Sequence, residues 1–254
     1  MINWSGIDYR SLVGRVLRLP GRALPANAVM HIRRGPACGM KWIVGSAPHG
    51  CWLGTYELAK QRALQRFVRP GMTIYDIGAQ AGFYTLFFSR LVSGNGRVYA
   101  FEPCAYGARF LIDHVRVNGL ANVRIIQAAV CEKPGLYGMS TDQGICQNEL
   151  CDDSDAGLMV PTISLDSSGL PVPDLIKMDV EGAESAVLRG ALRTLREARP
   201  AVFVALHGLE QRDICAAILN ATGYCIYGLD GQPINGIPTV DEIYALPASD
   251  RRII

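Results

Sequence analysis

The chain has 254 residues, which suits one large domain or one domain with a small extension. Hydrophobic residues make up 49% of it and charged residues of both signs 19%, a balance that permits a sizeable core and argues against disorder. The formal net charge of +2 predicts no basic face for a nucleic-acid partner. No apolar run approaches the roughly 18 residues of a membrane span, and no signal-peptide pattern opens the chain. We therefore expect a cytoplasmic protein with no membrane partner.

The first 70 residues differ in pattern from the rest. We expect residues 1–70 to form a helical and hairpin extension that covers the site of a domain spanning 71–254. A short amphipathic helix is predicted at 12–19. Two short strands around a Gly/Pro turn are predicted at 28–45, and a second helix at 55–68.

From Thr73 onward the chain alternates strands with helices of 10 to 15 residues. This pattern indicates βαβ units and a parallel sheet. The last two predicted strands, 224–229 and 242–246, have no helix between them, so we expect the final strand to run antiparallel. The segment from Cys131 to Leu158 is less regular. The other predicted strands are 73–78, 97–103, 122–130, 174–180 and 201–208, and the other helices 83–92, 105–119, 183–198 and 209–223.

A glycine-containing segment from Asp76 to Gly82 lies where the first strand of this domain turns into a helix. Glycine lets a ligand approach the backbone closely, and the N–H groups of a helix N-terminus favour an electron-rich group. Glu102 ends the next strand, where an acidic side chain can accept hydrogen bonds from both hydroxyls of a ribose. The two features together predict a nucleoside site, whereas the segment alone is also compatible with a purely structural turn.

The spacing of the glycines favours S-adenosylmethionine (SAM) over a dinucleotide. A dinucleotide loop reads G-x-G-x-x-G, but this chain has G-x-x-x-G with Gln80 in place of the second glycine, and it has no phosphate-binding P-loop. SAM carries no phosphate, and Asp76 could receive its ammonium group. An NAD-dependent oxidoreductase on a similar sheet remains the alternative.

A second group of charged residues follows the strand at 174–180. Strand alternation places Lys177, Asp179 and Glu181 on one side until the chain turns. Charges at the ligand-binding edge of a sheet are costly if they are buried without purpose. For Glu184, stabilisation of a helix N-terminus is as good an explanation as catalysis.

A histidine, His207, ends the strand at 201–208. The ordinary pKa of histidine, about 6.5, suits a general base near neutral pH. His49 lies in a loop that could reach the same edge and is the second candidate.

These motifs resemble those of the FkbM-type SAM-dependent methyltransferases. The matching pieces are "DIGAQAGFYT", "AFEP", "DLIKMDVEGAE", "LRGA" and the strand ending in His207, preceded by "GCWLGTYE". The resemblance implies an α/β fold with a Rossmann-like, seven-stranded methyltransferase sheet whose last strand is antiparallel. It also implies methyl transfer from SAM, most often to a hydroxyl of a sugar or secondary metabolite, with S-adenosylhomocysteine (SAH) as product.

The resemblance also assigns cofactor contacts. The loop from Asp76 to Gly82 would line the methionine half of SAM, and Glu102 would hold the ribose. Ala129 would border the adenine, and Tyr56 with Glu57 would close over the ligand. The full set of implied cofactor residues is Tyr56, Asp76, Gly78, Ala79, Gln80, Gly82, Tyr84, Thr85, Glu102, Pro103, Ala129 and Asp179.

Two positions depart from the family pattern. Gln80 stands where the family more often has asparagine, a change that keeps an amide. Ala205 stands where an acidic residue often precedes the histidine by two, so the sequence gives no carboxylate partner for His207.

The expected reaction is an in-line transfer in which a base accepts the proton of the acceptor hydroxyl. His207 or Asp179 is the expected base, while Lys177 could lower the pKa of the acceptor or pair with Glu181. A divalent metal held by Asp179 and Glu181 is possible but less favoured, and N-methylation is an alternative. The expected partner is a small-molecule acceptor, with a homodimer possible.

Overall fold

The computed structural model describes residues 24–139, 150–151 and 158–250. The predicted helix at 12–19 lies outside these residues. Within the described residues, no helix is long and apolar enough to cross a membrane.

The elements follow the predicted alternation of strands and helices. In chain order the strands are β1 (Val29–His31), β2 (Lys41–Ile43), β3 (Thr73–Ile77), β4 (Arg97–Phe101), β5 (Val123–Ile126), β6 (Ala129–Val130), β7 (Gly135–Met139), β8 (Leu150–Cys151), β9 (Met159–Ile163), β10 (Leu175–Met178), β11 (Ala201–Ala205), β12 (Tyr224–Gly228), β13 (Pro233–Ile234) and β14 (Glu242–Pro247). The helices are α1 (Gly50–Leu53), α2 (Leu58–Phe67), α3 (Phe83–Val92), α4 (Ala105–Val117), α5 (Glu184–Arg189), α6 (Leu192–Glu197) and α7 (Leu209–Ala221).

The central sheet has eight strands in the order β13-β12-β14-β11-β10-β3-β4-β5. The five strands from β11 to β5 are parallel, and β14 runs antiparallel to both of its neighbours, β11 and β12. The prediction of a mostly parallel, seven-stranded methyltransferase sheet with an antiparallel last strand is thus confirmed. The eighth strand, β13, is a two-residue addition at the edge.

Helices cover both faces of this sheet, which is why its inner strands are buried on both sides. Along β3 the side chain of Ile74 joins a core cluster with Leu64 of α2 and Phe87 of α3. The neighbouring Tyr75 joins the cluster on the other face with Leu188 of α5. The alternation of side chains along one strand therefore builds two cores.

Two predicted elements are divided in the structure. The strand expected at 122–130 ends at Ile126, and β6 pairs with β9 in a separate four-stranded sheet, β6-β9-β7-β8. Within the irregular segment after Cys131, β7 and β8 belong to that sheet. The helix expected at 183–198 breaks near Gly190, where a Cβ atom would lie 2.1 Å from the carbonyl oxygen of Cys131. Neither division has a signature in the local hydrophobic pattern, because both depend on tertiary contacts.

The predicted hairpin is present, and a buried histidine fixes it to the domain. Strands β1 and β2 pair antiparallel, and the backbone N–H of Ile43 donates to Nε2 of His114 at 2.9 Å. The Nδ1 atom of His114 must then carry the proton, which it donates to the carbonyl of Ala81 at 2.7 Å. Trp42 stacks on the imidazole at 4.0 Å, and burial lowers the pKa of His114 to about 4. One neutral side chain therefore joins the hairpin to the loop after β3.

Candidate active site

A cavity of ≈ 310 Å³ opens at the carboxyl edge of the parallel strands. The segments that follow β3, β4, β10 and β11 contribute to its wall, together with Cys51, Tyr56 and Glu57 from before the sheet. Ligands of parallel α/β sheets bind at this edge.

The loop after β3 is held tightly against its neighbours. Gly78 has a φ of 72°, and a Cβ atom there would lie 1.9 Å from the carbonyl oxygen of Asp179. The N–H groups of Gly78 and Ala79 both donate to the carbonyl of Phe101 at 3.0 Å. Gln80 also adopts a left-handed φ, 50°, which is uncommon for a residue with a side chain. Glycine at 78 is thus required by backbone packing as well as by φ.

Glu102 lies on the β4 side of the cavity with an orientation set by the backbone. Its Oε2 accepts from the N–H of Gln80 at 2.7 Å, and its Oε1 accepts from the N–H of Cys104 at 2.8 Å. Burial raises the pKa of Glu102, and the two N–H groups oppose that rise. A Cβ on Gly107 would approach its Cδ to 3.1 Å, so the small residue there leaves room for the carboxylate.

Asp76 lies beneath the cavity and not in its wall. Its side chain is fully buried, with Oδ2 accepting from the hydroxyl of Thr85 at 2.6 Å and Oδ1 3.2 Å from Nζ of Lys177. Lys177 also donates to the carbonyl of Gly78 at 3.1 Å. The buried pair of Asp76 and Lys177 therefore supports the loop after β3 from below.

On the opposite side of the cavity, His207 is surrounded by carboxylates. Its Nδ1 lies 2.6 Å from Oε1 of Glu184, and its Nε2 lies 3.4 Å from Glu181 and 3.8 Å from Asp179. The hydrogen bond that His207 donates to Glu184 is the largest of the effects that raise the pKa of His207 to about 9. The imidazole is therefore protonated on both nitrogens and positively charged at neutral pH. The sequence-based assignment of His207 as a base assumed a pKa of about 6.5, at which the ring would be mostly neutral.

Glu184 is the carboxylate partner that the sequence did not assign to His207. It is fully buried, and its Oε1 also accepts from the N–H of Gly182 at 3.1 Å. It therefore satisfies an N–H group of the turn that precedes α5 and orients the histidine as well.

A second ionic cluster surrounds Lys60, which is 2% exposed. Its Nζ lies 2.9 Å from Glu57, 3.4 Å from Asp179 and 2.5 Å from Glu242. Burial alone would lower the pKa of Lys60, but the three carboxylates outweigh it and raise the pKa. Burial raises the pKa of Glu242 to about 7. Lys60 opposes this rise, whereas the charges of Glu57 and Asp179 add to it.

The structure brings most of the predicted site residues to one cavity. Those in its wall are Tyr56, Gly78, Ala79, Gln80, Tyr84, Glu102, Pro103, Ala129, Lys177, Asp179, Glu181 and His207. Asp76, Gly82 and Thr85 lie outside the wall, and so does His49, whose Nδ1 accepts from the indole N–H of Trp52 at 3.0 Å.

Sequence reasoning missed two charged residues of the site, Lys60 and Glu242. Glu242 opens β14, which reaches the cavity because that strand is inserted beside β11. Lys60 and Glu57 are three residues apart near the start of α2, a spacing that signals an ion pair but not its burial.

The described residues include one group with the spacing of a metal site, formed by Asp179, Glu181 and His207. One potential ligand atom from each lies within 4.8 Å of the others. The cavity thus combines an oriented acidic residue on one side with a histidine–carboxylate cluster on the other. This arrangement can bind a nucleoside and handle a proton or a cation beside it.

The fold and this cavity define the chain as a methyltransferase-type α/β protein. The model of the methyltransferase FkbM domain matches residues 76–224, which is more than half of the chain. The chain therefore belongs to the FkbM methyltransferase family. The crystal structure of the methyltransferase FkbM from Methylobacillus flagellatus KT is similar to this one, with a TM-score of 0.51 and 16% sequence identity. The alignment covers 92% of this chain and 60% of the Methylobacillus chain.

Curated relatives match shorter parts of the chain. A ribosomal protein L11 methyltransferase from Pelotomaculum thermopropionicum is 36% identical over 73 residues, which are 28% of this chain and 23% of the relative. A ribosomal RNA large subunit methyltransferase E from Pseudomonas fluorescens is 26% identical over 121 residues, 48% of this chain and 49% of the relative. The chain thus spans half or less of the length of these relatives.

Proposed function

We propose that the protein is a SAM-dependent methyltransferase that methylates a hydroxyl group of a small molecule. One observation carries the proposal: Glu102 and the cluster of Asp179, Glu181 and His207 face the same cavity. Strand β3 lies between β4 and β10 in the sheet, so the loop after β3 separates the two sides. A nucleoside held by Glu102 would therefore extend toward the cluster.

The residues present fit SAM. Each oxygen of Glu102 accepts one backbone N–H, and a carboxylate oxygen has a second lone pair with which to accept a ribose hydroxyl. Ala128, Ala129 and Met139 give this side an apolar wall that suits an adenine ring. Across the cavity, Glu57 and Glu242 share Lys60 with Asp179, which leaves an excess of negative charge that suits a cationic ligand. When bound, SAM would supply a methyl group already activated by a positive sulfur.

The chain's own residues would orient the acceptor and remove its proton. Asp179 is ionised at neutral pH because Lys177, Lys60 and His207 outweigh the effect of burial and lower its pKa. His207 becomes a stronger proton acceptor as the pH approaches 9, where its Nε2 loses the proton. Lys177 is already engaged by Asp76 and the loop carbonyl, so we assign it to the support of the loop.

The charge of the cavity favours a small molecule over a nucleic acid as the acceptor. The relatives named above act on ribosomal protein or ribosomal RNA, but they match only parts of this chain. Glu57, Glu181 and Glu242 all line the wall, and they would repel a phosphate backbone. The volume lies at the lower end of the roughly 300–1,000 Å³ of small-molecule sites.

Calorimetric titration with SAM, SAH and NAD tests the cofactor. We expect heat with SAM and SAH and none with NAD, whereas heat with NAD alone would refute the proposal. Screening alcohols, sugars and amines for SAH release then tests the acceptor class. Release with amines only would show N-methylation instead. His207→Ala should bind SAH normally but lose most turnover, and unchanged turnover would remove His207 from the reaction.

A further inference from the structure

We propose that Asp179, Glu181 and His207 bind a divalent cation that holds the acceptor oxygen during methyl transfer. This inference rests on the proposed function for its role, but the binding site itself stands on geometry. The sequence offered only the two carboxylates, and the structure adds an imidazole from the neighbouring strand.

The distances between the donor atoms are close to those of a coordination shell. Nε2 of His207 lies 3.4 Å from Oε2 of Glu181 and 3.8 Å from Oδ1 of Asp179. Adjacent ligands of an octahedral ion with bonds of roughly 2.1 Å lie about 3 Å apart. A contraction of less than about 1 Å would therefore bring Nε2 of His207 to this spacing from each of the two carboxylate oxygens.

The two oxygens of Asp179 face different neighbours. Oδ2 lies 3.4 Å from Nζ of Lys60, whereas Oδ1 faces His207. Asp179 can therefore keep its ion pair with Lys60 and still present one oxygen to a cation. Lys60 is nearly inaccessible to solvent, and it fixes the carboxylate from behind.

A buried carboxylate orients the imidazole. Glu184 is fully buried, it contacts Nδ1 of His207 through Oε1, and its Oε2 has no hydrogen-bond partner among the described residues. With Nδ1–H held by Glu184, the other nitrogen of the ring points at the two carboxylates. Histidine ligands of metal ions are commonly oriented in this way by a carboxylate behind the ring.

The ligand set indicates the class of ion. Carboxylates suit magnesium and manganese, while imidazole suits first-row transition ions, so a mixed set favours Mn²⁺ or a similar ion. Three protein ligands leave positions open for the acceptor. A bound hydroxyl would become more acidic and release its proton to water, so that with a cation in place Asp179 and His207 would act as its ligands and not as the base. The new O–CH₃ bond then forms as the S–CH₃ bond breaks, and the electron pair of that bond remains on sulfur.

Titration of chelator-treated protein with Mn²⁺, followed by the loss of the free-ion EPR signal, tests the site. We expect one Mn²⁺ per chain, and at least about tenfold weaker binding in Glu181→Gln and in His207→Ala. Glu197→Gln is the matched control, because this exposed carboxylate ends α6, four residues before β11 begins at the other edge of the sheet. Thermal unfolding of each variant checks that it is folded.

The outcomes separate this inference from the proposed function. No binding of Mn²⁺, or binding that both site variants retain, would overturn the cation site. If such a protein still bound SAH and transferred methyl groups in EDTA, the proposed function would stand without a metal. If the protein bound Mn²⁺ at the cluster but did not bind SAM or SAH, the cation site would be supported and the proposed methyltransferase function would be refuted.

Discussion

Oε1 of Glu184 lies 2.6 Å from Nδ1 of His207 and simultaneously accepts the N–H of Gly182. One buried carboxylate thus joins the turn after β10 to the residue that follows β11. Because both segments line the cavity, the position of His207 depends on a side chain that does not itself face the ligand.

Replacing this carboxylate should affect turnover more than cofactor binding. We expect Glu184→Gln to lower kcat by about 10- to 100-fold, the usual cost of losing a group that orients a histidine, with little change in KM for SAM. The pKa of His207, measured by NMR in metal-free protein, should fall from about 9 toward its ordinary value because the largest cause of its rise is lost. Glu210→Gln, an exposed change on the nearby helix α7, is the control. An unaltered His207 titration would contradict the assigned contact.

Glu102 should govern affinity for the nucleoside. Glu102→Gln removes the charge but keeps one oxygen, and we expect about 10- to 100-fold weaker SAH binding, since a hydrogen bond to a charged group contributes about 1.5–3 kcal/mol. Calorimetry measures the change. Glu132→Gln removes an exposed charge after β6 and should leave SAH affinity unaltered. Equal losses in the two variants would mean that only the overall charge matters.

Lys60 should contribute strongly to the stability of the domain. Lys60→Met leaves Glu57, Asp179 and Glu242 without their shared cation, and removal of one partner from a buried ion pair costs about 3–5 kcal/mol. We expect the lower end of that range because the carboxylates are 24–29% exposed. Urea unfolding measures the loss. Adding Glu242→Gln should recover part of it, and no recovery would argue against repulsion as the cause.

His114 should make stability sensitive to mild acid. Its pKa is about 4 in the folded chain and about 6.5 when unfolded, so the unfolded state binds more protons between these values. Its contribution is therefore fully present above pH 6.5 and is lost as the pH falls toward 4, by about 3 kcal/mol at most. Urea unfolding across this range measures the slope. His114→Gln, which cannot titrate, should show a flatter profile, and a slope equal to that of the natural protein would exclude His114 as its source.

The cofactor side of the site could be predicted because its signals are local. The strand, the turn at Gly78 and the helix that follows are contiguous, and Glu102 follows at a recognisable offset. Even here the structure altered one expectation, since the carboxylate of Asp76 faces Thr85 and Lys177 beneath the loop. Alternation along β3 does not reveal whether a side chain at its end faces a ligand or supports the backbone below it.

The sequence by itself determined the order of strands and helices, the antiparallel last strand and the loop that suits a nucleoside. Hydrophobic periodicity and the conformational freedom of glycine act over a few residues, so one-dimensional patterns contain them. Only the tertiary structure decided which charges meet, because Lys60 and Asp179 are 119 residues apart and Glu184 contacts His207 from the end of the neighbouring strand. The free energy of those contacts depends on burial and distance, and neither quantity exists until the sheet has formed.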